Sequence, residues 1–251
     1  MHVIWSKYSA PQAFYPLAGR LIPWFSAVAV ILMIVGLYMG FFVAPTDFQQ
    51  GESYRIIFVH VPAAWMSMFL YVVMAIWAGV GMGLNARLSF MMAQAIAPTG
   101  AMFTFLALLT GAMWGKPTWG AWWVWDARLT SELILLFQYA GVMLLRTSID
   151  DQRRADRSSA VFALVGVVNV PIIYYSVQWW NTLHQGASVS MSTGSKMAAT
   201  MLLAMLIMTV AFWLYSIAVI LARVRCIVVE RESMPAWDEK PAVIQEAVEA
   251  R

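Results

Sequence analysis

Charge is scarce in this sequence. Only 12% of the 251 residues are Asp, Glu, Lys or Arg, against 61% that are hydrophobic. A soluble domain is about a quarter charged and about half apolar. A soluble enzyme is therefore excluded, and no nucleic-acid partner is expected. Cysteine is scarcer still: the single Cys226 rules out an intramolecular disulfide framework and any CxxC redox or zinc motif. No GxxxxGK[ST] run is present, so the chain offers no P-loop for a nucleotide. No Ser–His–Asp set stands out, and there are only three histidines.

What the chain has instead is long apolar runs. A helix needs about 20 mostly apolar residues to cross the hydrocarbon core of a bilayer. Six runs meet this: 22–43, 58–83, 91–113, 129–146, 159–177 and 198–222. The fourth is the weakest, with Arg128 and Glu132 at its start and Arg146 at its end. None shows the two-residue alternation of a barrel strand, and the first is too long for a signal-peptide core. The expected fold is an all-α integral membrane protein with six transmembrane helices and an irregular Trp-rich outer loop. Its six-helix membrane domain covers 1–226, with a Trp-rich outer segment at 114–130 and a second outer loop at 178–197. The charged tail 227–251, with Pro235 and Pro241, is expected to be a short frayed helix or disordered.

Six crossings put both termini on one side. Twelve Lys and Arg residues fall on the side of the termini and four (Arg55, Lys116, Arg128, Lys196) on the other. The positive-inside rule places the termini in the cytoplasm. The loops near 44–57, 114–130 and 178–197 then share the outer face.

Two histidines reach that face. His60 lies in IIFVHVPAAW at the outer end of the second run, and His184 in VQWWNTLHQGAS between the fifth and sixth. His2 is terminal and isolated. An ionisable group at the edge of the apolar zone points to function, the alternative being a histidine bonded to a neighbouring helix. Pro62 suits the first turn of a helix, whose N-terminus disfavours a cation at His60 and keeps the imidazole in the neutral form that binds metal. Two histidines are too few for zinc. They suffice for haem, whose porphyrin supplies four nitrogens and leaves two axial positions.

Between them in sequence runs WGKPTWGAWWVWDARLTSE, 114–132, with Trp114, Trp119, Trp122, Trp123 and Trp125 followed by Asp126 and Arg128. Gly115, Pro117 and Gly120 predict an irregular start and a short surface helix around AWWVWDA. Indoles favour the membrane interface, so an anchoring belt is one reading. The density of Trp, the carboxylate within the cluster and the second pair, Trp179 and Trp180, favour another, in which aromatic surfaces hold the apolar edge of a flat macrocycle. Its propionates need cations, and Arg matches a carboxylate with two parallel hydrogen bonds. Arg128 and Arg55 are the candidates, with Lys116 and Lys196 behind them, although either Arg suits interfacial snorkelling equally.

The run WGxxWxxWWVWD with flanking histidines resembles the WWD signature of haem-handling membrane proteins, and among them the six-span CcmC family, over nearly the whole chain. The resemblance implies haem b as the cofactor, with His60 and His184 as axial ligands and Trp114, Trp119, Trp122, Trp123, Trp125 and Asp126 as its platform. It implies a bacterial inner-membrane location and presentation of haem at the periplasmic face to the haem chaperone CcmE. The partners implied are CcmE, the small subunit CcmD, the ABC transporter subunits CcmA and CcmB, and membrane lipid. A scaffold role is then expected rather than an enzyme, any ATP dependence coming from a partner. Two rival readings stay open: a transmembrane haem exporter, and an electron-transfer subunit with permanent haem.

Overall fold

The computed structural model describes residues 9–184, 189–190, 194–195 and 197–249, with side chains described within 9–184 and 197–232. Six helices are long and apolar enough to cross a membrane. The first span is α1 (Pro11–Tyr38) with a π turn at Met39–Val43. A 3-10 turn (Glu52–Ile56) leads into α2 (Ile57–Leu84), and α3 (Arg87–Trp119) returns. The fourth span is α4 (Ala127–Ser148). The fifth is made of α5 (Gln152–Gly166) and α6 (Asn169–Trp179), and α7 (Ala199–Glu249) is the last. A two-residue antiparallel pairing, β1 (Val189–Ser190) with β2 (Gly194–Ser195), lies in the loop before α7. The fold is all-α and the protein a multi-pass membrane protein.

The helices begin and end where local chemistry dictates. Pro11 opens α1, where its missing N–H costs nothing. Asp126 and Asp151 cap α4 and α5 by accepting from the backbone N–H of Leu129 at 2.8 Å and of Arg154 at 2.7 Å. Asn85, at φ 49°, closes α2 with a left-handed residue and reverses the chain into α3. The spans outrun the apolar stretches that predict them, because polar end turns stay helical once capped.

Three local expectations are corrected. The helix α3 does not break at Gly115 or Pro117. It runs through both to Trp119 and ends at Gly120, whose φ of 79° needs glycine. Gly115 is buried against Trp119, and Pro117 lies in the last turn, where it forfeits one intrahelical bond. Residues 121–126 are then non-helical, so AWWVWDA forms no surface helix. Secondly, α2 begins at Ile57, and Pro62 lies inside it rather than in its first turn. The start is set earlier because Arg55, in the preceding 3-10 turn, donates to Gly40 O at 2.6 Å and Ala44 O at 3.1 Å at the end of α1. Thirdly, the backbone of the charged tail continues α7 to Glu249.

Lipid tails are as apolar as leucine, so the helices associate by close packing of small residues and by buried hydrogen bonds. The bundle interior is accordingly rich in Ala63, Ala78, Ala97, Ala107 and Ala163, filled in by Tyr71, Met74, Met91, Phe103, Tyr139 and Met205. Large apolar side chains such as Trp24, Phe42 and Phe137 lie outside, as on a surface solvated by lipid. At Gly100 of α3 the ring of Tyr139 occupies the space a Cβ would take, and Tyr139 donates to Ser67 O at 2.8 Å. Gly100→Ala is expected to lower stability by about 1–3 kcal/mol through overpacking. Gly83→Ala, with nothing within 4 Å, leaves it unchanged. Thermal unfolding in detergent checks the pair.

Candidate functional site

The odd-numbered connections bring three segments to one end of the bundle: 44–56, 120–126 and the stretch after Trp179. His60, the fourth residue of α2, and His184, in the loop after α6, meet there. Their ring centroids are 6.3 Å apart and their planes tilted by 35°. Trp114 stands edge-on to His60 at 5.6 Å, and Trp119 lies 6.1 Å from His184. An indole therefore flanks each imidazole. A metal–imidazole bond is about 2 Å long, so this spacing has room for one metal atom between a nitrogen of each ring.

The tautomer of His60 follows from its neighbour. Nδ1 lies 3.0 Å from Thr110 Oγ1. The one hydroxyl proton of Thr110 is directed to Leu106 O, at 2.6 Å, so Thr110 accepts from Nδ1–H. Nε2 then carries the lone pair, the form a metal requires. Gly111 makes the approach possible, since a Cβ there would stand 3.0 Å from His60 Cε1.

Arg128 and Glu132, one turn apart on α4, line the same pocket. Arg128 donates to Ile173 O at 2.6 Å, which holds the side chain while leaving most of its five N–H donors for another acceptor. Glu132 is buried and accepts from Ser67 Oγ at 2.7 Å through one oxygen. Its other oxygen has no hydrogen-bond partner among the described residues. The enclosed space measures about 70 Å³, less than the roughly 300–1,000 Å³ of a small-molecule site. His184 forms one wall of this space.

Asp126 holds that wall. One oxygen caps α4 and the other accepts from the hydroxyl of Thr182, whose oxygen in turn accepts from the backbone N–H of His184 at 3.0 Å. The Trp-rich segment is thus tied to the His184 loop through a single carboxylate.

The structure divides the other expected residues. Trp114 and Trp119 line the histidine pocket, and Trp114 Nε1 donates to Gln50 Oε1 at 2.8 Å. Trp123 and Trp125 pack edge-to-face at 5.4 Å in a shallow groove with Phe105 and Leu109. Trp125 is 78% exposed and Trp122 58%. Arg55 does not line the pocket: besides its two carbonyls it pairs with Glu52. Lys116 donates to Gly120 O at 3.1 Å, and Lys196 lies outside the described residues. Among the described residues no three His, Cys, Asp or Glu side chains converge as a metal cluster. Thr110, Thr182, Gln50 and Glu132 carry no signal in sequence as members of a site, because each is defined by a partner 50 or more residues away.

Comparison with known proteins adds an independent line. The profile of one family, heme exporter protein C, matches residues 4–239. Heme exporter protein C of Escherichia coli K12 is 52% identical over 182 residues, 72% of this chain and 74% of its own. The protein of that description from Bradyrhizobium diazoefficiens is 49% identical over 215 residues, 86% of this chain and 81% of its own. The one from Haemophilus influenzae is 41% identical over 230 residues, 92% of this chain and 94% of its own.

Proposed function

The chain belongs to the heme exporter protein C family, and from that premise we propose that it holds haem b between His60 and His184 and presents it to the chaperone CcmE. The haem is cargo, so the site must both bind and release it. The observation that carries this reading is the pair of imidazoles from distant parts of the chain, with centroids 6.3 Å apart and an indole beside each.

His60 Nε2 and His184 serve as the two axial ligands, one from a rigid helix and one from a loop. This asymmetry suits a carrier: the helix keeps its ligand in place while the loop ligand is the one to let go. Arg128 meets a propionate with the N–H groups not given to Ile173 O. Trp114 and Trp119 contact the ring near the iron. Trp122, Trp123 and Trp125, exposed or in the outer groove, suit the periphery of the ring and the surface on which CcmE docks. Arg55, bound to the end of α1, shapes the outer loop and reaches a propionate only by giving up those bonds.

Both termini lie in the cytoplasm and the histidine end faces the periplasm of the inner membrane. The excess of basic residues at the opposite end supports this orientation. CcmD and the ABC subunits CcmA and CcmB complete the assembly, and nucleotide hydrolysis belongs to them. This chain is a scaffold for transfer.

The test is the absorbance spectrum of the protein purified in detergent from cells lacking CcmE. A low-spin bis-imidazole haem spectrum is expected, and protein that never carries haem overturns the reading. Thr110 gives a finer check. Thr110→Val keeps the shape but removes the acceptor for His60 Nδ1–H. Loss of such an outer-shell partner typically costs about 10–100-fold in metal affinity, whereas Thr110→Ser retains it. Haem transfer to apomyoglobin, timed by absorbance, measures the difference.

A further inference from the structure

At the end of the bundle away from the histidines lies a second cavity, of about 320 Å³, between α2, α3, α4, α5 and α7. The haem reading does not use it. Met74, Ala78 and Phe90 make part of an apolar wall, and Arg146, Asp156 and Arg223 stand at its polar side.

The charges there do not balance. Arg231, behind the lining, binds both oxygens of Asp156, at 3.0 and 3.1 Å, and Gln94 Oε1 at 2.6 Å. Arg146 approaches the same carboxylate at 3.4 Å and Gln94 at 3.3 Å. Arg223 donates to the hydroxyl of Thr99 at 2.7 Å and has no carboxylate within 4 Å among the described residues. Two guanidinium groups thus share one carboxylate, and the third, Arg223, is held by a hydroxyl. The side chains of Arg146 and Arg231 are only 13% and 5% exposed. Arginine does not shed its proton in proteins, and a buried charge needs a partner. Even with Glu230 acting on Arg146 beside Asp156, the arginines outnumber the carboxylates next to an apolar chamber.

We propose that this cavity binds the anionic end of an amphiphile: a carboxylate or phosphate against Arg223 and Arg146, with an apolar body along the Met74–Phe90 wall. Arg matches either oxyanion with paired hydrogen bonds, and basic pockets between transmembrane helices take anionic head groups. Two sources carry that chemistry. A porphyrin dicarboxylate makes the cavity an inner-face station for the cargo, which rests on the haem reading above. A phospholipid makes it a lipid site and is independent of that reading.

Cys226, the only cysteine of the chain, lines this cavity and reports on it. The experiment follows maleimide alkylation of Cys226 in the full chain in neutral detergent. It is run with iron-free protoporphyrin and with phosphatidylglycerol, each beside an uncharged analogue (the porphyrin dimethyl ester and a diacylglycerol). Iron-free porphyrin has no axial chemistry, and the assay is repeated in the His60→Ala, His184→Ala double variant, so failure at the outer site leaves the result intact. One of the two anionic probes is expected to slow alkylation about tenfold at ten times its Kd, by mass action, with protection lost in Arg223→Gln. Protection by protoporphyrin assigns the cavity to the cargo, and protection by phosphatidylglycerol alone assigns it to lipid. Undiminished alkylation with both, or equal protection by the uncharged analogues, overturns the proposal. The analogue comparison uses the native arginines, so it decides even if Arg223→Gln does not fold.

Discussion

Replacing His184 with alanine is expected to turn a six-coordinate, low-spin haem into a five-coordinate, high-spin one and to release the haem during purification. His60→Ala has the same spectral sign. The two differ in what remains around the vacancy. His184 comes from a loop, so its loss opens one wall of a space of only about 70 Å³. His60 is locked between Thr110 and Gly111 on the face of α3, and its loss leaves a polar Thr110 facing a void inside the bundle. As proposed direct ligands, both residues should show effects that exceed the roughly 10–100-fold of an outer-shell change such as Thr110→Val. Added imidazole should restore the low-spin spectrum more fully in His184→Ala, whose vacancy is on the loop side. If either variant keeps the wild-type spectrum, that histidine is not a ligand.

The second large effect is expected at Asp126. Its two oxygens do different jobs: one caps α4 at Leu129, the other holds Thr182 and through it the backbone of His184. Asp126→Ala removes both. Loss of the cap alone costs about 1 kcal/mol. Release of the His184 loop should add a fall in haem retention on the order of 10–100-fold, as for other partners that orient a ligand. Asp126→Asn keeps a good cap while weakening the charge-assisted bond to Thr182, so stability is retained and haem retention falls by less. Thr182→Val should reproduce the haem defect without the loss of stability. In the double variant the two haem effects should fail to add, because both act through one contact. Additive losses from Asp126→Ala and Thr182→Val, read by the apomyoglobin transfer rate, would exclude the shared path.

The site was legible in sequence to different depths. His60 and His184 stood out because an ionisable group at the edge of an apolar run is rare, and the structure brings their rings within 6.3 Å. The tryptophans stood out by density, yet density does not say which way an indole points. Trp114 and Trp119 lie within the last turns of α3, so the helix aims them at the histidines. Trp123 and Trp125 follow Gly120 on an extended stretch and pack on an outer groove. Arg55 and Arg128 looked alike as outer arginines, and only their partners separate them. Glu132 read only as a charge at the start of the weakest run, but α4 carries it into the bundle, where Ser67 of α2 bonds one oxygen and the other has no hydrogen-bond partner among the described residues.

By itself the sequence determined the class of protein, the number of crossings and the end of the molecule that holds the histidines. Those depend on local properties: the length of an apolar run against the thickness of a bilayer, and the bias of basic residues between alternate loops. Tertiary structure alone decided which nitrogen of His60 is free, that Asp126 holds the His184 loop, and that Arg146 and Arg231 share Asp156 beside a second cavity. These contacts include pairs 50, 56 and 75 residues apart in sequence. A side chain's role there is set by what stands opposite it on another helix, and no local pattern of residue types encodes that neighbour.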